Sequence, residues 1–275
     1  MGNERRVQQK APASRYALLD ELRGLDLVSM MLYHACWDMM FLFGIWMDWY
    51  AGMPGRLWQQ AICWVFILLS GFCAPFGRHM LRRGVTVFAA GALVTAVTLV
   101  FMPEGRVIFG VLTFLGTAML LTGVLEPLLK KVMPAVGLAL SAVLFAVCYT
   151  VGSGWVGLGG WKLMLPQSLY ANYFTAFFGF YPDWFYSADY FGLLPWLFLF
   201  WAGYYLQQGG GPQTHGTAAP PGMPGAGLDG PALAFAVSAA PAGDLRRTFG
   251  RGSSFCIKGL TQPGTCGILS MVRRY

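Results

Sequence analysis

Long apolar runs, separated by short polar or Gly/Pro-containing stretches, organise this chain. They fall at about 25–46, 58–77, 85–102, 107–129, 133–151 and 190–206. Most approach or exceed the roughly 20 residues a membrane-spanning helix needs. Runs of this length do not suit the alternating strands of a barrel. The pattern predicts an all-α fold, a polytopic transmembrane bundle of about six spans. The third run is short at both ends and predicts a span either little tilted or only partly membrane-embedded. Composition agrees: 56% of residues are hydrophobic and 11% charged, with a mean hydropathy of +0.53. Ordinary soluble domains carry about 25% charged residues.

Basic residues set the expected orientation. Arg5, Arg6, Lys10, Arg15 and Arg23 precede the first span, Arg78, Arg82 and Arg83 follow the second, and Lys130 and Lys131 follow the fourth. The opposite side has Arg56, Arg106 and Lys162. Basic loops stay in the cytoplasm, so both termini are expected there. The net charge of +7 is then mostly loop charge and calls for no nucleic-acid partner. The first run is too long and too polar for a signal-peptide core. The expected partner is the lipid bilayer, in a multi-pass cell (plasma) membrane protein.

The first span has unusual chemistry. It carries His34 and the carboxylates Asp26 and Asp38, with Arg23 just before it. Charged groups deep in hydrocarbon cost roughly 2.5–3.5 kcal/mol on insertion scales and generally face a bundle interior or cavity. Arg23 and His34, eleven residues apart, return to within roughly 20° of one face, and Asp38 lies about 40° further round. The three form a stripe, His34 about 16 Å beyond Arg23. Interhelical packing through a hydrogen-bonded histidine is the structural alternative.

Residues 152–190 include SLYANYFTAFFGFYPDWFYSADY, too aromatic for a free loop and too interrupted for a span. An interfacial segment on the outer face is one reading. The other is a lid over an acceptor site, where Asp183 and Asp189 contact hydroxyls or amines and aromatic rings stack on sugar faces. The six cysteines show no ligand spacing, so no metal site is expected. From Gln207 the chain turns Gly/Ala/Pro-rich, which predicts a disordered tail over 207–275. A GC-rich gene read out of frame would give the same composition. The expected division is a basic segment at 1–22, a transmembrane unit at 23–206 and that tail.

The order of several motifs resembles a known family. RYALLDELRGLDLVSMMLYHACWDMM resembles the opening of bacterial membrane proteins that share the heparan-alpha-glucosaminide N-acetyltransferase catalytic domain. Phe66-Ile67-Leu68-Leu69-Ser70-Gly71, Ile108-Phe109-Gly110-Val111-Leu112 and Tyr190-Phe191-Gly192-Leu193-Leu194-Pro195-Trp196 extend the likeness over about Arg15 to Leu206. Thr113 and Thr261 depart from it, standing where relatives commonly have His.

The resemblance implies acetyl transfer from cytoplasmic acetyl-CoA to an amino sugar or related saccharide acceptor. His34 is then the candidate catalytic histidine, with Asp38 orienting it. Arg23, Arg78, Arg82 and Arg83 are the candidate contacts for the CoA phosphates. An imidazole with a pKa of about 6.5 suits either proton removal from the acceptor or brief acyl carriage. Two other readings stay open: O-acylation of a surface polysaccharide, and a proton-coupled transporter or non-catalytic membrane protein. Against transport, the chain shows no internal repeat and no paired interrupted helices.

Overall fold

A computed structural model describes residues 14–41, 43–77 and 79–210. Its long helices are α1 (Ser14–Phe41), α3 (Met53–Cys73), α4 (Met80–Phe101), α5 (Val111–Leu129), α6 (Pro134–Cys148) and α8 (Leu193–Gly210). Short helices α2 (Asp48–Ala51) and α7 (Tyr173–Phe178) occupy the connections. Four segments, Met53–Phe76, Met80–Phe101, Val111–Leu129 and Pro134–Ser153, are long and apolar enough to cross a membrane. α1 is longer than any of them but more polar, and α8 ends in Gln207, Gln208, Gly209 and Gly210.

The helix ends differ from the apolar runs for identifiable reasons. α1 starts before the apolar stretch because the Leu-, Glu- and Arg-rich residues ahead of it are good helix formers. It stops at Phe41, and Gly44 follows at φ +70° in a non-helical connection. α3 begins at Met53, five residues ahead of its run, with Pro54 in the first turn where its missing N–H costs nothing. α8 reaches Gly210, so the compositional break at Gln207 falls inside its last turns. The rest of the 207–275 segment lies outside the described residues.

Helix α8 is central and packs against α3, α5 and α6. Phe200 and Tyr204, 0% and 1% exposed, fill its core face. Small residues let backbones meet, as membrane bundles require when hydrophobicity alone gives no drive between helices. Gly71 of α3 rests against the Phe200 carbonyl, and Gly203 of α8 against that of Leu68. Antiparallel helices α4 and α5 are keyed in the same manner, with Gly84 on Leu120, Gly116 on Phe88 and Gly91 on Thr113. α1 packs along α3 at the margin of the bundle.

Two ends result. The basic end gathers the start of α1, the α3–α4 and α5–α6 connections and the finish of α8. The aromatic end carries residues 149–192. That segment is an ordered cap and contains the one sheet among the described residues, a hairpin of β1 (Trp155–Leu158) and β2 (Trp161–Met164). Trp155 pairs with Met164 and Leu158 with Trp161 across a Gly159-Gly160 turn.

The cap is strapped to the α4–α5 connection. The Ala188 N–H donates to the Arg106 carbonyl and that of Phe191 to the Phe109 carbonyl, both at 2.9 Å. The Ile108 N–H donates to Ser187 Oγ at 2.9 Å, and Arg106 Nε to the Tyr186 carbonyl at 3.2 Å. Phe109 adopts φ +56°, a left-handed conformation unfavourable for an aromatic residue. Its ring contacts Phe177 and Phe185, which belong to the cap.

Candidate functional site

Helix α1 presents two neighbouring polar faces. The buried face carries Asp26, Tyr33 and Met40, at 9%, 6% and 8% exposure. The periodicity of 3.6 places these three within about 40° of one another. Trp58 of α3 donates its indole N–H to Ser29 Oγ at 2.8 Å and meets the Tyr33 ring edge-on at 5.4 Å. His34 and Asp38 lie roughly 80° and 120° round from Asp26, on the flank of this contact. Both are half-buried, and the Asp38 charge acts on His34 one turn away.

Helix α2 closes the aromatic end of this contact. Tyr50, 6% exposed, donates its hydroxyl to the Tyr33 carbonyl at 3.1 Å. Burial, the hydrogen bond to Tyr33 and the Asp38 charge hold that hydroxyl above its ordinary pKa, so it remains a donor. Gly55 permits the approach, since a Cβ there would collide with the Tyr50 carbonyl. His34 sits seven residues from the end of α1, about 10 Å below the aromatic end.

At the basic end the charges of Arg23 and Arg83 fall within electrostatic reach of each other and of Cys73. Arg23 Nη1 lies 3.6 Å from Asp20 Oδ1, an exposed contact of little stabilising value. Arg83 Nη1 donates to the Ala74 carbonyl at 3.4 Å, its guanidinium packed over Gly77. Guanidinia from two helices within electrostatic reach of each other suit phosphate oxygens. Arg82 is exposed and instead lines a groove of about 480 Å³ with Pro75, His79, Leu81 and Glu126. Arg78 lies outside the described residues. Of the four sequence-derived cofactor contacts, Arg23 and Arg83 lie within electrostatic reach of each other.

The two acidic residues of the cap differ in their surroundings. Asp183 is exposed. Asp189 Oδ2 accepts the Val111 N–H at 2.9 Å, capping α5 from a distant part of the chain. Burial pushes the Asp189 carboxyl up to about 6, and the Val111 hydrogen bond opposes the shift.

Polar residues of α3 complete the picture. Gln59 is 3% exposed, and neither end of its amide has a hydrogen-bond partner among the described residues. Arg56, half-buried, has its Nε and Nη2 buried and likewise unpartnered. In the sequence Gln59-Gln60 looks like the polar margin of a span, whereas the earlier start of α3 places Gln59 almost two turns inside. Gln59 falls between Trp58 and Ile62, both packed with Tyr33, and so is level with His34. Among the described residues no three His, Cys, Asp or Glu side chains group to hold a metal ion.

A family model described as "Heparan-alpha-glucosaminide N-acetyltransferase, catalytic" matches residues 15–225. No curated protein and no solved structure matches the chain.

Proposed function

The chain belongs to the heparan-alpha-glucosaminide N-acetyltransferase catalytic-domain family, and from that premise we propose that it transfers acetyl groups across a plasma membrane. The donor is acetyl-CoA at the basic, cytoplasmic end, and the acceptor is an amino sugar at the aromatic end. One observation carries the reading: His34 is half-buried on α1 between the Arg23/Arg83 pair and the aromatic cap. The orientation follows from the preference of basic loops for the cytoplasm. With α1 and α8 counted beside the four apolar segments, the unit of about 23–206 spans six times.

Acetyl-CoA supplies an activated acetyl carbonyl. Arg23 and Arg83 hold phosphate at the basic end, which leaves about 16 Å of helix rise for an extended arm to approach His34. His34 accepts the proton that the acceptor nitrogen loses as its bond to the acetyl carbon forms and the thioester C–S bond breaks, and gives it to the departing CoA thiolate. The Asp38 carboxylate stabilises the resulting imidazolium and limits its rotation. Tyr50 keeps its proton and holds α2 over the end of the α1–α3 contact.

The test uses sealed membranes of known orientation, acetyl-labelled CoA on the basic side and glucosamine as acceptor. Label should reach the sugar with the native chain and fall at least 100-fold with His34→Ala at equal expression. Equal transfer by both forms would remove His34 from the reaction. CoA-independent, proton-coupled sugar uptake would replace the enzyme reading with a transporter.

A further inference from the structure

The groove at the basic end takes no part in the reaction proposed above, yet it is large enough to hold a molecule. Its volume is about 480 Å³, inside the roughly 300–1,000 Å³ of clefts that take small ligands. Three segments meet there: the α3–α4 turn at Pro75 and Gly77, the first turn of α4 at Leu81 and Arg82, and the end of α5 at Glu126.

Charge decides what kind of molecule fits. Arg82 and Glu126 line the same groove yet form no salt bridge with each other. Glu126 Oε1 instead takes Lys130 Nζ at 2.6 Å, which leaves the Arg82 charge without an acidic partner among the described side chains. Arg83 packs over Gly77 beside it and donates to the Ala74 carbonyl. The start of α4 adds partial positive charge, because its N-cap residue His79 supplies no side-chain acceptor. The groove therefore suits an anion, and phosphate oxygens match the guanidinium fork of Arg82. A headgroup that also carries an ammonium would set that charge beside Arg82 and Lys130.

The apolar wall indicates where the phosphate comes from. Leu81 lines the groove, and Val85 and Phe88 follow it within about 40° on the same face of α4. All three side chains are exposed, because α4 packs chiefly on α5 and leaves this face to the bilayer. The track is about 10 Å long and begins at the phosphate-binding end. Acyl chains can use it, whereas a soluble phosphate cannot. We propose that the groove seats an anionic phospholipid of the leaflet at the basic end, with its phosphate on Arg82 and its acyl chains along Leu81, Val85 and Phe88. A lipid held this way ties the α3–α4 turn to the end of α5. The assignment does not depend on the acetyltransferase reading.

The experiment titrates the full chain, in a neutral detergent, with dioleoyl phosphatidylglycerol or dioleoyl phosphatidylcholine and counts bound lipid by native mass spectrometry. Phosphatidylglycerol should bind about 10-fold tighter to the native chain. Arg82→Gln should remove most of that preference, and Arg82→Lys should keep part of it. Lys162→Gln, which removes a cation of the hairpin at the opposite end, should leave the preference intact. Equal affinity for the two lipids in the native chain overturns the proposal. So does a preference that survives Arg82→Gln, or one that Lys162→Gln weakens as much as Arg82→Gln does. Displacement of bound phosphatidylglycerol by an equal concentration of glycerol 3-phosphate or CoA would assign the groove to a soluble phosphate and overturn the lipid as its occupant.

Discussion

The Asp189 carboxylate accepts the backbone N–H of Val111 at 2.9 Å, joining the aromatic cap to the first turn of a core helix. The two residues are 78 positions apart. Ser187 reinforces the link, accepting from the Ile108 N–H and donating to the Asp189 carbonyl at 2.9 Å. The cap is thus continuous with the bundle through the α4–α5 connection.

This link gives stability a pH dependence. The Asp189 carboxyl has its pKa raised from 3.8 to about 6, so between those values the folded chain holds a proton that the unfolded chain has lost. Stability from this group therefore falls as pH rises from about 4 to 6. Asp189→Asn keeps an acceptor for Val111 and should flatten that slope. Asp189→Ala removes the cap and should cost about 1 kcal/mol. Thermal melting in nanodiscs from pH 4 to 7 reads both effects, and an unchanged slope in the Asn variant would exclude Asp189 as its source.

Asp38 is expected to act through His34. Asp38→Asn should lower kcat about 10-fold with little change in KM for the sugar. A KM effect with kcat preserved would make Asp38 a sugar contact instead.

At the basic end, Arg23→Ala and Arg83→Ala should each raise KM for acetyl-CoA by about 10-fold, and less so at high salt. Steady-state kinetics at two ionic strengths measure this. Arg82→Ala provides the comparison, because Arg82 faces the groove lined by His79 and Glu126. An equal effect at all three positions would mean general surface charge rather than a phosphate contact.

Gly71→Leu is expected to prevent the α3–α8 contact, since even a Cβ there meets the Phe200 carbonyl. The variant should fail to yield a monodisperse protein in detergent. Gly24→Leu, where a Cβ meets nothing nearby, should behave as the native chain does.

The helical class was legible because apolar runs of span length have few other solutions. Glycines of the motifs behind the family resemblance mark close contacts: Gly71 on Phe200, Gly110 on Asp189, Gly192 on Gly179. The Arg23–His34–Asp38 spacing gave these residues one side of α1, with His34 and Asp38 half-buried and Arg23 exposed. It did not reveal that Asp26 and Tyr33 form the packed face beside it, because periodicity gives angles without saying where a neighbour lies. Gln59 was missed since a Gln pair near the start of an apolar run looks the same at an interface as two turns inside. The hairpin was missed despite Gly159-Gly160, its sign in the sequence, because the flanking aromatic residues suggested a surface segment. Asp189 and Val111 meet only through tertiary structure, so no local pattern announces their bond.

The marginal place of α1 has a consequence for how the protein tolerates change. Glycines interlock α3 with α8 and α4 with α5, while His34 and Asp38 ride on a helix packed along α3. Damage to the interlocked helices should remove the protein from the membrane, whereas under the proposed reaction damage to the flank of α1 should leave a full complement of silent molecules. A mutational survey scored once for abundance and once for turnover would divide into two populations along that boundary.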